Sequence, residues 1–426
     1  MHLKIKIWMV LATLLFLLIA MRAHLVLNGL ELLFSFLVAL FENPNYAFIQ
    51  LDFQTTDLFI SVVLILIIPV LLFLFRNRFE VLNRQTSLIS LGIIIISMIF
   101  IFAPVITNYH PNFQNSLKVT RFLSPFQSGT KIFLNNNSNK HISQKFGDLK
   151  KEIVNSPVDE SFVYFDYFKV EDDSVIVFQS GAIKSFPKEK IIFIKGQPKV
   201  DFKLFLLGTD ELGRDIFARI VYGARISLVI GIFSVLLSLA LGVLFGFIAG
   251  YYGGYYDLVI SRMTDMFLTV PSIFFVIMAL AFFGNSFTSI ILVLGLSGWM
   301  SLFKIIKGEI VQIKKKDYFL TSKKLGLSGS SLLFNEILPV IIIPVVVNIV
   351  FQFSNVILAE SSLSYLGLGA GLNYPSWGSM LLSGQHYMSH GWWQIVFPGI
   401  ALVLTLLIFN LFGEKIKSHY NQIDSR

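Results

Sequence analysis

The sequence predicts an all-α integral membrane protein of about eight spans carrying a small β-rich exoplasmic insert. Three observations carry this prediction. Only 14% of the 426 residues are charged, 55% are apolar and the mean hydropathy is +0.72, whereas soluble domains carry roughly 25% charged residues. Uncharged stretches of spanning length, or close to it, recur at 58–75, 88–106, 226–249, 266–303, 339–359 and 392–412. A polar, mixed-charge stretch at 107–207 interrupts them. A span needs roughly 20 apolar residues, because a helix rises about 1.5 Å per residue through about 30 Å of hydrocarbon. One charge at the bilayer centre costs about 2.5–3.5 kcal/mol, so repeated uncharged runs of this length are unlikely to arise by chance.

The N-terminus comes first. Residues 7–21 are apolar, follow Lys4 and Lys6, and have the outline of a signal peptide, but the cleavage site at Met21-Arg22-Ala23 is poor, so an uncleaved span is expected. Residues 25–41 contain Asn28 and Glu31 and can continue that span, lie in the interface or form a weak extra one. The distribution of basic residues decides. Arg76, Arg78 and Arg84 follow the second span, seven lysines lie in 304–336, Lys415 and Lys417 follow the last span, and 360–391 holds no Lys or Arg. Placing the basic loops inside gives both termini a cytoplasmic position and leaves room for one crossing before residue 42. The formal charge of +8 then marks cytoplasmic loops, with no nucleic acid implied.

The same count puts 107–207 outside. Runs at 162–165, 175–178 and 191–194 read as strands of a small domain, and 135–138 as a flexible loop. Its lysines do not oppose this placement, since long loops translocate largely regardless of charge. Next, Thr209 or Asp210 can cap an outer-leaflet interfacial helix, with Ile216, Phe217, Ile220 and Val221 on one side and Arg214, Asp215 and Arg219 on another.

In the following span Ser234, Ser238, Gly242, Gly246 and Gly250 recur at every fourth position. They share one face and allow another helix close, first of all within the chain, otherwise at a subunit interface or pore. The uncharged run at 266–303 is too long for one span, and Gly284-Asn285-Ser286 divides it into a hairpin. Lys314, Lys315 and Lys316 then lead into a short cytoplasmic helix in which Tyr318, Phe319 and Ser322 share a face, aromatics free to enter a groove. Gly326 can end it, and Pro339 begins the next span where proline is tolerated.

Chemistry is sparse. The sequence has no cysteine, which excludes disulfides, thiolate metal sites and a cysteine nucleophile. It has no G-x-x-x-x-G-K-[ST] or H-E-x-x-H, and the seven histidines are scattered. The uncharged span cores offer no proton relay. Energy is expected from a partner.

Three segments together resemble the C-type permease subunits of the dipeptide/oligopeptide/nickel ABC import family. Gly208, Thr209, Asp210, Gly213, Arg214 and Asp215 look like its outer-face G-T-D-x-x-G-R-D signature, continued by Tyr222–Leu228, 250–254 and 262–265. Residues 359–369 are similar to its A-E-x-x-L-S-F-L-G-L-G stretch, followed by Pro375-Ser376-Trp377-Gly378. In the family's E-A-A loop there are departures: Leu320-Thr321-Ser322 stands at E-A-A and Glu336 at the histidine, while Gly326 and Pro339 match.

The resemblance implies a type I ABC importer permease bundle. It implies that residues 1–80 are an extension with two spans, 81–107 the first span of the permease unit, 108–207 an insert, 208–413 a core of five spans with a coupling loop at 304–338, and 414–426 a cytoplasmic tail. It implies no catalytic residue, metal or cofactor in this chain, with ATP and Mg²⁺ bound by partners. Those partners are a second permease subunit, two ABC ATPase subunits, an exoplasmic substrate-binding protein and membrane lipid. ATPase coupling would fall to Asp317, Tyr318, Phe319, Leu320, Thr321, Ser322, Gly326, Glu336 and Pro339, with Asp317 supplying the missing acid. Peptides are the implied substrate, nickel chelates or other small solutes the alternative. A secondary transporter, or a non-transporting assembly or sensor protein, is the rival from another class.

Overall fold

The structure is a computed structural model, described for residues 7–51, 53–75, 88–107, 110–135, 146–147, 149–150, 161–371 and 374–424. Among the described residues, helices long and apolar enough to span number six, and two bent helix pairs raise the number to as many as eight. The chain divides into two compact units, Met1–Arg225 with Ser383–Gly399, and Ile226–Leu382 with Ile400–Arg426.

In the first unit, α1 (Ile7–Glu42) is two helical stretches joined at a kink at Arg22 (φ −123°, ψ 22°). Residues 25–41 form the helical stretch that follows this kink. Arg22 Nη2 at the kink donates to the Ile106 carbonyl at 2.9 Å. Next, α2 (Pro44–Gln50) is capped by Asn43 and followed by α3 (Phe53–Phe75), the bend between the pair being 94°. α3 begins five residues before the uncharged run and so includes Asp57, which is buried and paired with Arg225. Arg76, Arg78 and Arg84 lie outside the described residues. α4 (Leu88–Ile106) matches the expected span, and its Phe102 and Val105 pack with Leu15, Val26 and Ile65.

The outer part of this unit is a β domain preceded by the short α5 (Leu117–Thr120). β1 (Gln127–Phe133) pairs antiparallel with β2 (Phe162–Phe165) and, on its other side, with the later β8 (Val200–Phe205). β3 (Tyr167–Val170), β4 (Ser174–Gln179) and β5 (Ala182–Pro187) form a second antiparallel sheet, and β6 (Phe193–Ile194) with β7 (Gln197–Pro198) a third. β2 is buried along its whole length because successive side chains serve opposite cores. Phe162 and Tyr164 pack with Phe113 and Phe205, whereas Val163 and Phe165 pack with Ile132, Val175, Val177 and Ile191. The strand expected at 191–194 shrinks to its last two residues, because Ile191 closes a 3₁₀ turn over Lys188–Lys190. Asn135 donates its backbone N–H to the Lys190 carbonyl at 2.8 Å, and 136–138 lie outside the described residues.

α6 (Ile216–Phe247) continues as a π-helical turn, Ile248–Tyr252. The expected separate interfacial helix is absent: Ile216, Phe217, Ile220 and Val221 are the first turns of this spanning helix, with no break before residue 226. In the second unit, α7 (Gly254–Thr269) and α8 (Ser272–Phe283) meet at an 89° bend. This corrects the straight span expected over the first half of 266–303. Pro271 lacks an N–H and drives Val270 to an extended conformation (φ −93°, ψ 130°). The hairpin break holds: Gly284 ends α8 at φ 80°, and Ser286 caps α9 (Phe287–Ile313) by accepting from the Ser289 N–H.

Beyond α9 come α10 (Asp317–Lys324), α11 (Gly329–Ser331) and a π-helical turn, Leu332–Ile337, that runs directly into α12 (Leu338–Tyr365). α12 outruns the uncharged stretch by six residues and so encloses Glu360. α13 (Trp377–His386) and α14 (Trp393–Asp424) complete the chain.

Candidate functional site

The outer signature is a tied corner. Asp210 accepts at Oδ1 from the Leu212 and Arg214 N–H groups at 2.9 and 2.8 Å, and at Oδ2 from Arg214 Nε at 2.6 Å. Arg214 Nη2 also reaches Glu211 at 3.1 Å, and Arg219 Nη1 lies 3.4 Å from Asp210. These charges are buried: Asp210 is 4%, Arg214 6% and Arg219 4% exposed. Burial, then the neighbouring Asp210, raises the Glu211 carboxyl above its ordinary range. Gly213 sits at φ 68°, and a Cβ there would meet Thr120 Oγ1 at 2.2 Å.

Neither Thr209 nor Asp210 caps the helix. That role falls to Asp215, whose Oδ1 accepts from the Phe217 N–H at 3.0 Å, while its Oδ2 pairs with Lys203 of β8 at 2.9 Å. Burial lowers the Lys203 ammonium despite that partner. Thr209 Oγ1 instead donates to the Thr120 carbonyl at 2.5 Å and accepts from the Leu123 N–H at 2.8 Å. The Thr209 carbonyl accepts from Trp393 Nε1 at 3.0 Å. Gly208, at φ 78°, lies where a Cβ would stand 2.6 Å from the Leu123 carbonyl oxygen. The signature thus joins the β domain, the segment before it, and the starts of α6 and α14.

The small-residue face of α6 packs on α9. Ser234 and Ser238 donate to the Ile291 and Gly295 carbonyls at 3.2 and 2.7 Å. A Cβ on Gly242, Gly246 or Gly250 would approach Leu302, Ile306 or Ile310 to 2.7, 2.8 or 2.9 Å. These five residues therefore set an intramolecular contact.

A constellation missed in the sequence surrounds Glu360, which is 0% exposed. Ser227 and Ser364 donate to its two oxygens at 3.0 and 2.8 Å, Ser361 lies 3.4 Å away, and Ser376 donates to Ser364 Oγ at 3.3 Å. A Cβ on Gly378 would meet the Ser361 carbonyl oxygen at 2.4 Å. The carboxyl thus gathers α6, α12 and the segment before α13. Serines near the A-E stretch were the available signal, but no spacing relates Ser227 to Glu360.

On the basic side lies α10, rooted by Phe319. That ring is 1% exposed and packs among Leu302, Ile306, Ile310, Ile313, Leu332, Ile337, Ile341 and Val345. The expected face of free aromatics is thereby corrected, since the apolar ring is drawn into the nearer core. Tyr318 (43%), Leu320 (41%) and Leu325 (76%) are exposed instead, as are Asp317 and Thr321. Burial, then nearby Glu336, raises the Tyr318 phenol. Thr321 Oγ1 donates to the Asp317 carbonyl at 2.9 Å, and Gly326 ends the helix at φ 81°. Ser322 Oγ donates to Glu336 Oε1 at 2.8 Å, so two of the four positions that depart from E-A-A and the histidine meet each other. Pro339 lies in the first turn of α12 and is exposed, but the helix is continuous with the π-helical turn before it. Lys314 donates to the Gly250 and Tyr251 carbonyls at 3.2 and 2.7 Å, and Lys304 pairs with Asp265 at 3.0 Å.

Known proteins are similar to this chain over about half of its length. The family described as binding-protein-dependent transport system inner membrane component matches residues 242–422. The dipeptide transport system permease protein DppC of Alkalihalophilus pseudofirmus is 35% identical over 210 residues, covering 49% of this chain and 69% of that protein. The chain belongs to the DppC/OppC permease family. DppC of Escherichia coli K12 is 39% identical over 212 residues (50% of this chain, 71% of that protein). The oligopeptide permease OppC of Bacillus subtilis is 36% identical over 210 residues (49% and 69%). Among solved structures, the inward-facing MetNI methionine ABC transporter aligns at a TM-score of 0.38 and 14% identity over 47% of this chain and 94% of that one. This permease is a multi-pass membrane subunit of an ABC importer, and its family works with ATPase and other transporter subunits.

Proposed function

We propose that this permease forms the translocation path for peptides by alternating access, together with a second permease subunit, in the bacterial inner membrane with both termini cytoplasmic. Two ABC ATPase subunits, which hold ATP and Mg²⁺, dock on α10 and its counterpart, and an exoplasmic binding protein delivers the substrate. This chain supplies packing and force transmission and carries no catalytic group or cofactor. ATP-driven closure of the ATPases draws the coupling helices together and rocks the bundles, and hydrolysis resets the inward-open state.

The observation that carries this reading is α10. It is a short helix between two spans, rooted by Phe319 in the same core as α9 and α12, with Tyr318 and Leu320 exposed among lysines. Asp317, in its exposed first turn, is the acid offered to the ATPase. Seven lysines in 304–336 support a cytoplasmic side. The peptide substrate comes from the dipeptide and oligopeptide relatives. Vesicles holding the assembled importer and its binding protein test the proposal. ATP-dependent uptake of labelled di- to pentapeptides, competed by unlabelled peptide, is the expected result. Uptake of a nickel chelate alone would replace the substrate, and uptake without ATP would overturn the mechanism.

A further inference from the structure

We propose that Glu336 and Ser322 are positioning residues: their hydrogen bond clasps α10 to the start of α12, so that a force on α10 reaches the transmembrane helix. This rests on the reading of α10 as the point where the ATPase acts.

The argument is mechanical. The chain between α10 and the π-helical turn is short: Gly326 at φ 81° ends α10, and Ser328 caps the single turn α11 by accepting from the Ser331 N–H. Outside the covalent chain, a force on α10 reaches α12 only through contacts between the two elements. α10 has eight residues and one buried side chain, Phe319. A single apolar anchor lets a short helix turn about its own axis, because dispersion contacts are non-directional.

Ser322 lies three residues beyond Phe319, on the same face. Its bond to Glu336, 2.8 Å long and partly buried, is directional and fixes that rotation. Glu336 stands on the π-helical turn, whose Leu332 and Ile337 are in the core that holds Phe319. That turn continues without a break into α12. Anchor and clasp together make α10, the π-helical turn and α12 a single lever.

The test uses the complete importer in vesicles, with labelled dialanine as transported probe, and reads peptide moved per ATP hydrolysed. Glu336→Ala and Ser322→Ala are each expected to lower that ratio about fivefold, the equivalent of one net hydrogen bond, while the ATPase subunits still co-purify. The double variant should be no worse than either single one. Glu336→Gln, whose amide oxygen still accepts from Ser322, should recover the ratio where Glu336→Ala does not. An unchanged ratio in both alanine variants overturns the proposal, and so does a Gln variant as impaired as Ala.

The chain has no cysteine, which allows a second measurement that does not depend on deletion. A Ser322→Cys, Glu336→Cys pair bridged by a short bis-thiol reagent should keep coupled transport. Loss of uptake with hydrolysis intact on bridging would mean that the clasp must open, and would overturn the proposal. Absence of ATPase subunits from the wild-type complex would instead sink the reading of α10 itself, and this proposal with it.

Discussion

Ser227, in α6, donates its hydroxyl hydrogen to Glu360 Oε2, in α12, at 3.0 Å, although 133 residues separate them. With Ser361 and Ser364 on the same carboxyl, the contact makes Glu360 a tie between helices. Glu360→Ala strips several buried hydroxyls of their acceptor and is expected to cost about 3 kcal/mol, whereas Glu360→Gln keeps an acceptor and should cost about 1 kcal/mol. Thermal unfolding of the detergent-purified protein reads the difference. Equal losses would show that charge, and not hydrogen bonding, is what the site needs.

The α6–α9 seam gives a size prediction. Gly246→Leu forces side-chain atoms onto Ile306, where even a Cβ would stand at 2.8 Å, and overpacking of this kind costs about 1–3 kcal/mol or more. Gly308 on α9 has open space around its Cβ position. Gly308→Ala should therefore be neutral or raise stability by up to about 1 kcal/mol, through helix propensity. The pair of melting temperatures checks both directions.

At the outer corner the size of the loss should follow charge. Arg214→Ala takes from buried Glu211 its paired guanidinium and leaves Asp210 with Arg219 alone, a loss of about 3 kcal/mol. Trp393→Phe removes the Nε1–H bond to the Thr209 carbonyl and part of a buried ring, together worth about 1–2 kcal/mol. Protease sensitivity of the β domain in right-side-out vesicles ranks the two, and the reverse order would contradict the geometry.

His110, just outside α4, is held at about 4 by burial. Its Nδ1 accepts from the Asn112 N–H at 3.0 Å, which requires that nitrogen to be unprotonated. The folded pKa lies below the ordinary value of 6.5, so between the two the unfolded chain binds more protons. Stability is then full above 6.5 and falls as pH drops toward about 4. Melting temperatures across that range should show the slope, and His110→Gln should flatten it.

The spans and the hairpin were legible because charge exclusion and glycine breaks are local signals: 88–106 became a helix with those bounds, and Gly284 turned the chain. The 89° bend at Pro271 was not, because a run without charge hides where its helix breaks. The strand at 162–165 was legible from its composition, while β8 carries Asp201 and Lys203 and reads as loop until their partners Lys131 and Asp215 are seen. Of the site, the small-residue stripe needed only helical spacing. The Glu360 cluster, the Trp393 tie and the Ser322–Glu336 clasp depend on contacts between distant segments that no periodicity encodes.

The most direct measurement is a photo-crosslink. Leu320→Cys, on the exposed side of α10, and Ile183→Cys, 67% exposed on β5, each carry a benzophenone maleimide in the assembled, cysteine-free chain. Illumination should join position 320 to an ATPase subunit and position 183 to none. An intact complex in which position 320 yields no ATPase adduct, or position 183 does, would contradict the account.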